Sequence, residues 1–275
     1  MSRSRPVLLC ALAIALMPVP AVLAADETPG ASDPEQEVVV LLHGLGRSAG
    51  SMALLEQRLE SAGYRVHNID YPSRQAPPDA LVALIAESVT ACCADSPRVH
   101  YVTHSLGGIL ARAYLAAEAP ANAGRLVMLA PPNRGSELPD LLGDQWLFEF
   151  IMGPTASELG TDPASFPNRL PMPPVPTGVI AGTGSINPVG TLVIPGEDDG
   201  MVSVCRTWIE GLADFLVVPQ THAFIMRSTR VTDQVIRFLR VGAFDHEDDD
   251  LTARYVEQCL AAEQAAGIGD AGRDP

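Results

Sequence analysis

Short unbroken apolar runs alternate along this chain with segments whose apolar positions recur at helical spacing. Val38 to Leu42 is a continuous β-branched and leucine run that stops at His43-Gly44-Leu45-Gly46, the pattern of a buried parallel strand ending in a glycine turn. Ser51 to Ala62 puts Met52, Leu55 and Leu59 on one side and predicts a helix. Tyr64 to Ile69 predicts a second strand, closed by Asp70-Tyr71-Pro72. Ala80 to Cys92 predicts a second helix, with Leu81, Leu84, Ile85 and Val89 in register. Val99 to Thr103, Leu126 to Ala130, Thr177 to Ala181, Thr191 to Ile194 and Phe215 to Val218 read as further strands. Leu106 to Glu118, stopped by Pro120, and Val231 to Leu239 read as further helices. Strand and helix alternating at this spacing predict an α/β fold. Its sheet is mostly parallel, with right-handed crossovers and helices on both faces.

Three stretches break the pattern. Residues 135 to 175 mix prolines and glycines with Leu141, Leu142, Trp146, Leu147, Phe148, Phe150 and Ile151, without strand alternation, and read as a lid-like insertion. Asp245 to Asp250 is an acidic run without EF-hand spacing, hence a solvated connector, followed by a helical tail from Leu251 to Ala265. At the start, Arg3 and Arg5 precede an apolar stretch from Val7 to Val19, and Val22-Leu23-Ala24 offers small residues for cleavage. That stretch is short and interrupted by Pro18 and Pro20, which favours a signal peptide over a membrane span. Residues 1 to 24 are assigned to it, with Ala25 as the neighbouring cut, and 25 to 36 form a polar lead. The mature chain is thus expected in the periplasm or outside the cell.

Export bears on the cysteines. Without Cys10, four remain, Cys92, Cys93, Cys205 and Cys259, in a compartment that permits disulfides. Adjacent Cys92 and Cys93 bridge each other poorly, so bonds from them to Cys205 and Cys259 are expected, or one bond with buried thiols. No cysteine or histidine group has metal-ligand spacing. Net charge is −15, every basic residue is an arginine, and no basic stripe is present. These features argue against nucleic acid as a partner. Neither a metal nor an organic cofactor is implied.

The candidate chemistry centres on Val102-Thr103-His104-Ser105-Leu106-Gly107-Gly108, where a predicted strand meets a predicted helix. A serine hydroxyl is a weak nucleophile until a base can take its proton, and a sharp strand-to-helix turn exposes it at the sheet edge. Thr103 stands where a glycine is usual, and a serine here could also merely cap the following helix. The partners decide for chemistry, because this architecture runs serine, acid, histidine along the chain. His222 follows the last strand after Pro219-Gln220-Thr221 and is the candidate base. Within Glu197-Asp198-Asp199-Gly200, Asp199 is the candidate acid because Gly200 permits a tight turn; Asp198 and Asp70 are the alternatives. Backbone N–H groups of Leu45 and Leu106 are the candidate oxyanion donors. His43 would brace the oxyanion loop, and His104 would point to the far side of the turn.

Together with Pro132-Asn133-Arg134-Gly135-Ser136 and Asp199-Gly200-Met201-Val202, these motifs resemble bacterial lipases and esterases of the α/β-hydrolase fold, over roughly residues 37 to 244. Too few residues precede the first strand for the two leading strands of larger members. The chain is therefore similar to the minimal lipase, with about six parallel strands. The resemblance implies hydrolysis of carboxylic esters through an acyl-enzyme. Trp146, Leu147 and Phe150 are the candidate acyl-chain contacts, in a segment that would also allow transient contact with a lipid surface. A thioesterase, an acyltransferase or a polyester depolymerase would use the same triad. A noncatalytic binding protein on this scaffold would not need all three groups.

Overall fold

The computed structural model describes residues 37–138, 155, 158–187, 194–246 and 250–265. In chain order they form β1 (Glu37–Leu42), α1 (Ala53–Ser61), β2 (Arg65–Ile69), α2 (Pro78–Cys93), β3 (Arg98–His104) and α3 (Leu106–Glu118). These are followed by β4 (Ala123–Leu129), the short α4 (Phe166–Arg169), β5 (Thr177–Gly184), the short α5 (Val204–Thr207), β6 (Asp214–Thr221), α6 (Thr229–Val241) and α7 (Asp250–Ala265). The six strands make one sheet in the order β2-β1-β3-β4-β5-β6, and every pairing is parallel.

The uninterrupted apolar runs have the reason anticipated from sequence: both faces of the sheet are covered. Val38, Val40 and Leu42 of β1 pack with Leu81 and Ile85 of α2 and Leu106 and Leu110 of α3. Val39 and Leu41 point the other way, to Leu55 and Leu59 of α1 and Val235 and Phe238 of α6. Period-two side chains therefore find a helix layer on either side. The chain runs from β1 outward to β2 and then returns to β3 on the other flank of β1. Open α/β sheets place their ligands at the carboxyl ends of the strands that flank such a reversal, here β1 and β3.

Several details differ from expectation. Helix α2 starts at Pro78, because a proline in the first turn loses no helical hydrogen bond. Strand β5 continues through Gly182 to Gly184, paired to Val218 and Thr221 of β6. Glycine there signals close backbone approach rather than a strand end, since a Cβ on Gly182 would lie 2.4 Å from the Gln220 carbonyl oxygen. Of the strand expected at 191 to 194, only Ile194 lies within the described residues, in a bend. Trp146, Leu147 and Phe150 lie outside the described residues, as does the N-terminal apolar stretch. Among the described residues, no helix is long and apolar enough to cross a membrane.

The cysteine pairing is corrected. Cys205 bonds Cys259, and Cys92 bonds its neighbour Cys93. Topology separates the two pairs, since Cys92 and Cys93 end α2 beside the start of β3, whereas α5 and α7 bring Cys205 and Cys259 together. The tail helix α7 is also part of the body. Cys259 is buried, and Thr252 Oγ1 accepts the Val217 N–H of the outer strand β6 at 2.9 Å.

Candidate active site

Ser105 connects β3 to α3 with φ 53° and ψ −123°, a positive φ rare for a residue with a side chain. Its N–H donates to the Leu129 carbonyl of β4 at 2.9 Å, which fixes the turn without engaging the side chain. The hydroxyl does not cap α3. The turn depends on two glycines. A Cβ on Gly107 would lie 2.5 Å from the Leu42 carbonyl oxygen, so α3 rests directly on the end of β1. A Cβ on Gly108 would lie 3.2 Å from Thr103 Oγ1 and 3.2 Å from Met128 Sδ. The bulk that Thr103 adds is thus accommodated by Gly108, and its hydroxyl donates to the Val127 carbonyl at 3.4 Å.

His222 lies just beyond β6, on a loop that reaches back across the strand ends. Its Nε2 is 2.9 Å from Ser105 Oγ and its Nδ1 is 2.7 Å from Asp199 Oδ2. The carboxylate can only accept, so Nδ1 carries the proton and Nε2 is left to accept from the serine hydroxyl. Asp199 is itself held: Oδ1 accepts the N–H groups of Met201 (3.0 Å) and Val202 (2.9 Å). Its carbonyl accepts the His222 N–H at 2.9 Å. Gly200 takes φ +96°, as a tight turn demands, and Gly182 makes room for the Asp199 side chain, whose Cβ would lie 3.0 Å from a Cβ there. Ser105, Asp199 and His222 are therefore brought together.

The two alternative acids are elsewhere. Asp198 turns to the Gly200 N–H at 2.7 Å, and burial raises its carboxyl above the usual range. Asp70 accepts the Ala49 N–H and lies 3.5 Å from His43 Nε2.

Leu106 is the first residue of α3, so its N–H has no acceptor within the helix. Leu45 sits in the turn closed by the Arg47 N–H on the Gly44 carbonyl at 3.2 Å. This turn lies on the elbow, for a Cβ on Gly44 would be 3.2 Å from Ser105 Cβ. His43 anchors the loop: its Nδ1 donates to the Gly44 carbonyl at 2.9 Å and its Nε2 accepts the Tyr71 N–H at 3.3 Å. The Tyr71 ring stacks on it at 4.1 Å, and the Tyr71 hydroxyl donates to the His43 carbonyl. Burial holds His43 below the usual histidine range.

Sequence reasoning misplaced one residue and missed another. His104 does not turn to the far side of the elbow. It is buried, with Nε2 2.9 Å from the His222 carbonyl oxygen and its ring 4.9 Å from the His222 ring. The cause is long-range, since the loop after β6 folds over the end of β3. Arg112 of α3 is also buried, donating to the carbonyls of Asn133, Pro167, Leu170 and Pro171. Burial and the nearby Arg134 lower it to about 10, so it stays charged at neutral pH. Asn133 donates in turn to the Thr207 carbonyl at 2.8 Å, joining the loop after β4 to α5. An arginine amid the apolar positions of α3 was the available signal for that clamp.

A family model described as the alpha/beta hydrolase family matches residues 39–267. The chain belongs to the alpha/beta hydrolase family. It is similar in structure to the mature lipase BlEst2 of Bacillus licheniformis, with TM-score 0.64 and 22% identity over 76% of this chain and 94% of that one. Phospholipase PlaB of Legionella pneumophila gives TM-score 0.61 at 16% identity over 83% of this chain, which spans 64% of that protein, less than two thirds. The metagenomic carboxyl esterase MGS0156 gives 0.55 at 17%, over 71% of this chain and 67% of that one. At such identities the likeness is one of fold. No curated protein matches the sequence. The family match runs through α7, beyond the end of the motifs that first carried the resemblance.

Proposed function

We propose that the chain is an exported serine hydrolase that cleaves carboxylic esters through an acyl-enzyme. The observation that carries this reading is the continuous line from Asp199 Oδ2 through His222 to Ser105 Oγ, at 2.7 and 2.9 Å, ending on a serine held in an elbow of positive φ. Ser105 Oγ attacks the ester carbonyl as its proton passes to His222 Nε2. Asp199 keeps the imidazole in the required tautomer and stabilises the imidazolium. The carbonyl oxygen gathers negative charge against the N–H groups of Leu45 and Leu106. His222 returns the proton to the leaving alcohol, and water then releases the acid by the same path reversed.

A fluorophosphonate probe tests the central assignment. Wild-type protein is expected to be labelled, and Ser105→Ala is expected to take no label while remaining folded. Folded wild type that ignores the probe would refute the nucleophile. The preferred substrate is an ester of a medium-to-long acyl chain, for which the apolar segment around Trp146, Leu147 and Phe150 is the motive. A series of p-nitrophenyl esters in which acetate is strongly favoured over longer chains would overturn that part alone.

A further inference from the structure

His104 stands between the two loops that the proposed reaction must keep in register. We propose that His104 is a positioning residue, which holds the His222 loop and the Gly44 loop at a fixed spacing by donating its Nε2–H to the His222 carbonyl. The proposal rests on the reading of Ser105 and His222 given above.

The tautomer follows from the partner. A carbonyl oxygen only accepts, so Nε2, 2.9 Å from it, carries the proton and Nδ1 keeps its lone pair. That Nδ1 is buried without a hydrogen-bond partner and faces Gly44, where a Cβ would come within 2.8 Å of it. A leucine would fill the same space without leaving a buried nitrogen unpaired. What the imidazole adds is the bond to His222. The backbone of His222 is thereby held on both sides, its N–H by the Asp199 carbonyl and its carbonyl by His104.

The ring is also suited to standing beside a base without becoming one. Burial, then the neighbouring His222, Arg47 and His43, holds it well below the usual histidine range. A second proton on Nδ1 would find no acceptor and would press against Gly44. When His222 takes the proton from Ser105, His104 keeps its single tautomer and its hydrogen bond.

The test compares His104→Leu and His104→Gln with wild type, using a p-nitrophenyl ester and following fold by circular dichroism. His104→Leu is expected to lower kcat roughly tenfold, the rate equivalent of one hydrogen bond, with little change in KM. His104→Gln places an amide N–H near the position of Nε2 and is expected to recover most of that loss. In a His222→Ala background, where there is no base to position, His104→Leu is expected to leave the residual rate unchanged. A wild-type kcat in His104→Leu, or the same loss persisting without His222, would overturn the proposal. Should the leucine variant not fold, His104→Asn replaces it, since its shorter amide cannot reach the carbonyl. Equal rates for the Asn and Gln variants would then decide against positioning. A wild-type protein inert to both ester and fluorophosphonate would defeat the underlying reading and this one with it. A labelled wild type that His104→Leu matches would defeat only this one.

Discussion

Among the described residues, two buried histidine–carboxylate pairs sit at opposite ends of the same sheet, and one of them faces a serine hydroxyl. At the carboxyl edge, His222 Nδ1 meets Asp199 at 2.7 Å and its Nε2 meets Ser105 Oγ. At the amino edge, His100 Nε2 meets Glu37 at 3.1 Å, with Arg98 3.6 Å from the other carboxylate oxygen. Its remaining nitrogen, Nδ1, accepts the Arg125 N–H at 2.8 Å. The first histidine has a nitrogen aimed at a hydroxyl, and the second has spent both on structure. Strand β3 contributes to both ends, with His100 near its start and Ser105 just past its finish. A histidine beside a carboxylate is therefore not a site in itself. What faces the second nitrogen determines what the pair can do.

Mirrored substitutions would break this comparison most directly. Asp199→Asn is expected to lower kcat on the order of 10⁴-fold, because the amide favours the wrong imidazole tautomer, with the fold retained by circular dichroism. Full activity in that variant would remove Asp199 from the mechanism. The next largest effect belongs to Cys259→Ser, which releases the loop of 54 residues closed by Cys205. It is expected to cost about 4 kcal/mol in urea unfolding, and to weaken the edge carrying Asp199 more than the edge carrying Glu37. Hydrogen exchange that loosens both edges equally would contradict that local reading.

Glu37→Gln, the counterpart of Asp199→Asn, is expected to leave kcat within about twofold while costing about 1–3 kcal/mol of stability, since a buried charged partner is lost. A rate loss comparable to that of Asp199→Asn would erase the distinction between the two pairs. The smallest effect is a slope. His43, His100 and His104 are held below the usual histidine value, chiefly by burial. Below about pH 6.5 the unfolded chain takes up protons that the folded chain refuses. The stability they contribute is complete above that pH and declines as the pH falls. At His100, Glu37 favours the imidazolium while Arg125 and Arg98 oppose it. At His43, Asp70 favours it. His222 and Arg47 oppose it at His104. Removing the Glu37 charge should steepen the decline, and urea midpoints at pH 8 and pH 5.5 for both proteins would show whether it does.

Five of the six strands were legible because each carries an apolar run short enough to cross a sheet and long enough to be buried on both faces, whereas β2, Arg65–Ile69, is polar and only partly buried and was legible from its place between two helices. Ser105, Asp199 and His222 were legible because their order along the chain is dictated by the order of the strands that carry them. The orientation of His104 was not. Sequence tells that it ends β3, but its partner lies 118 positions away in a loop whose path is set by packing. Gly182 was misread as a strand end for a related reason. A glycine inside a strand reports close approach by something the local sequence does not contain, here the backbone of β6. The cysteines show the same limit, since four thiols carry no record of which helices will meet. Trp146, Leu147 and Phe150 lie outside the described residues, so the acyl contacts rest on the sequence alone.

The bond between Thr252 Oγ1 and the Val217 N–H bears on how the outer edge of the sheet is covered. Strand β6 is the last in the sheet, and its outward Val217 N–H would otherwise be open to a strand from another molecule. Helix α7 occupies that place, and the Cys205–Cys259 bond keeps it there. A chain truncated before residue 250 could retain Ser105, Asp199 and His222 and still be lost to self-association, with light scattering rising before turnover falls.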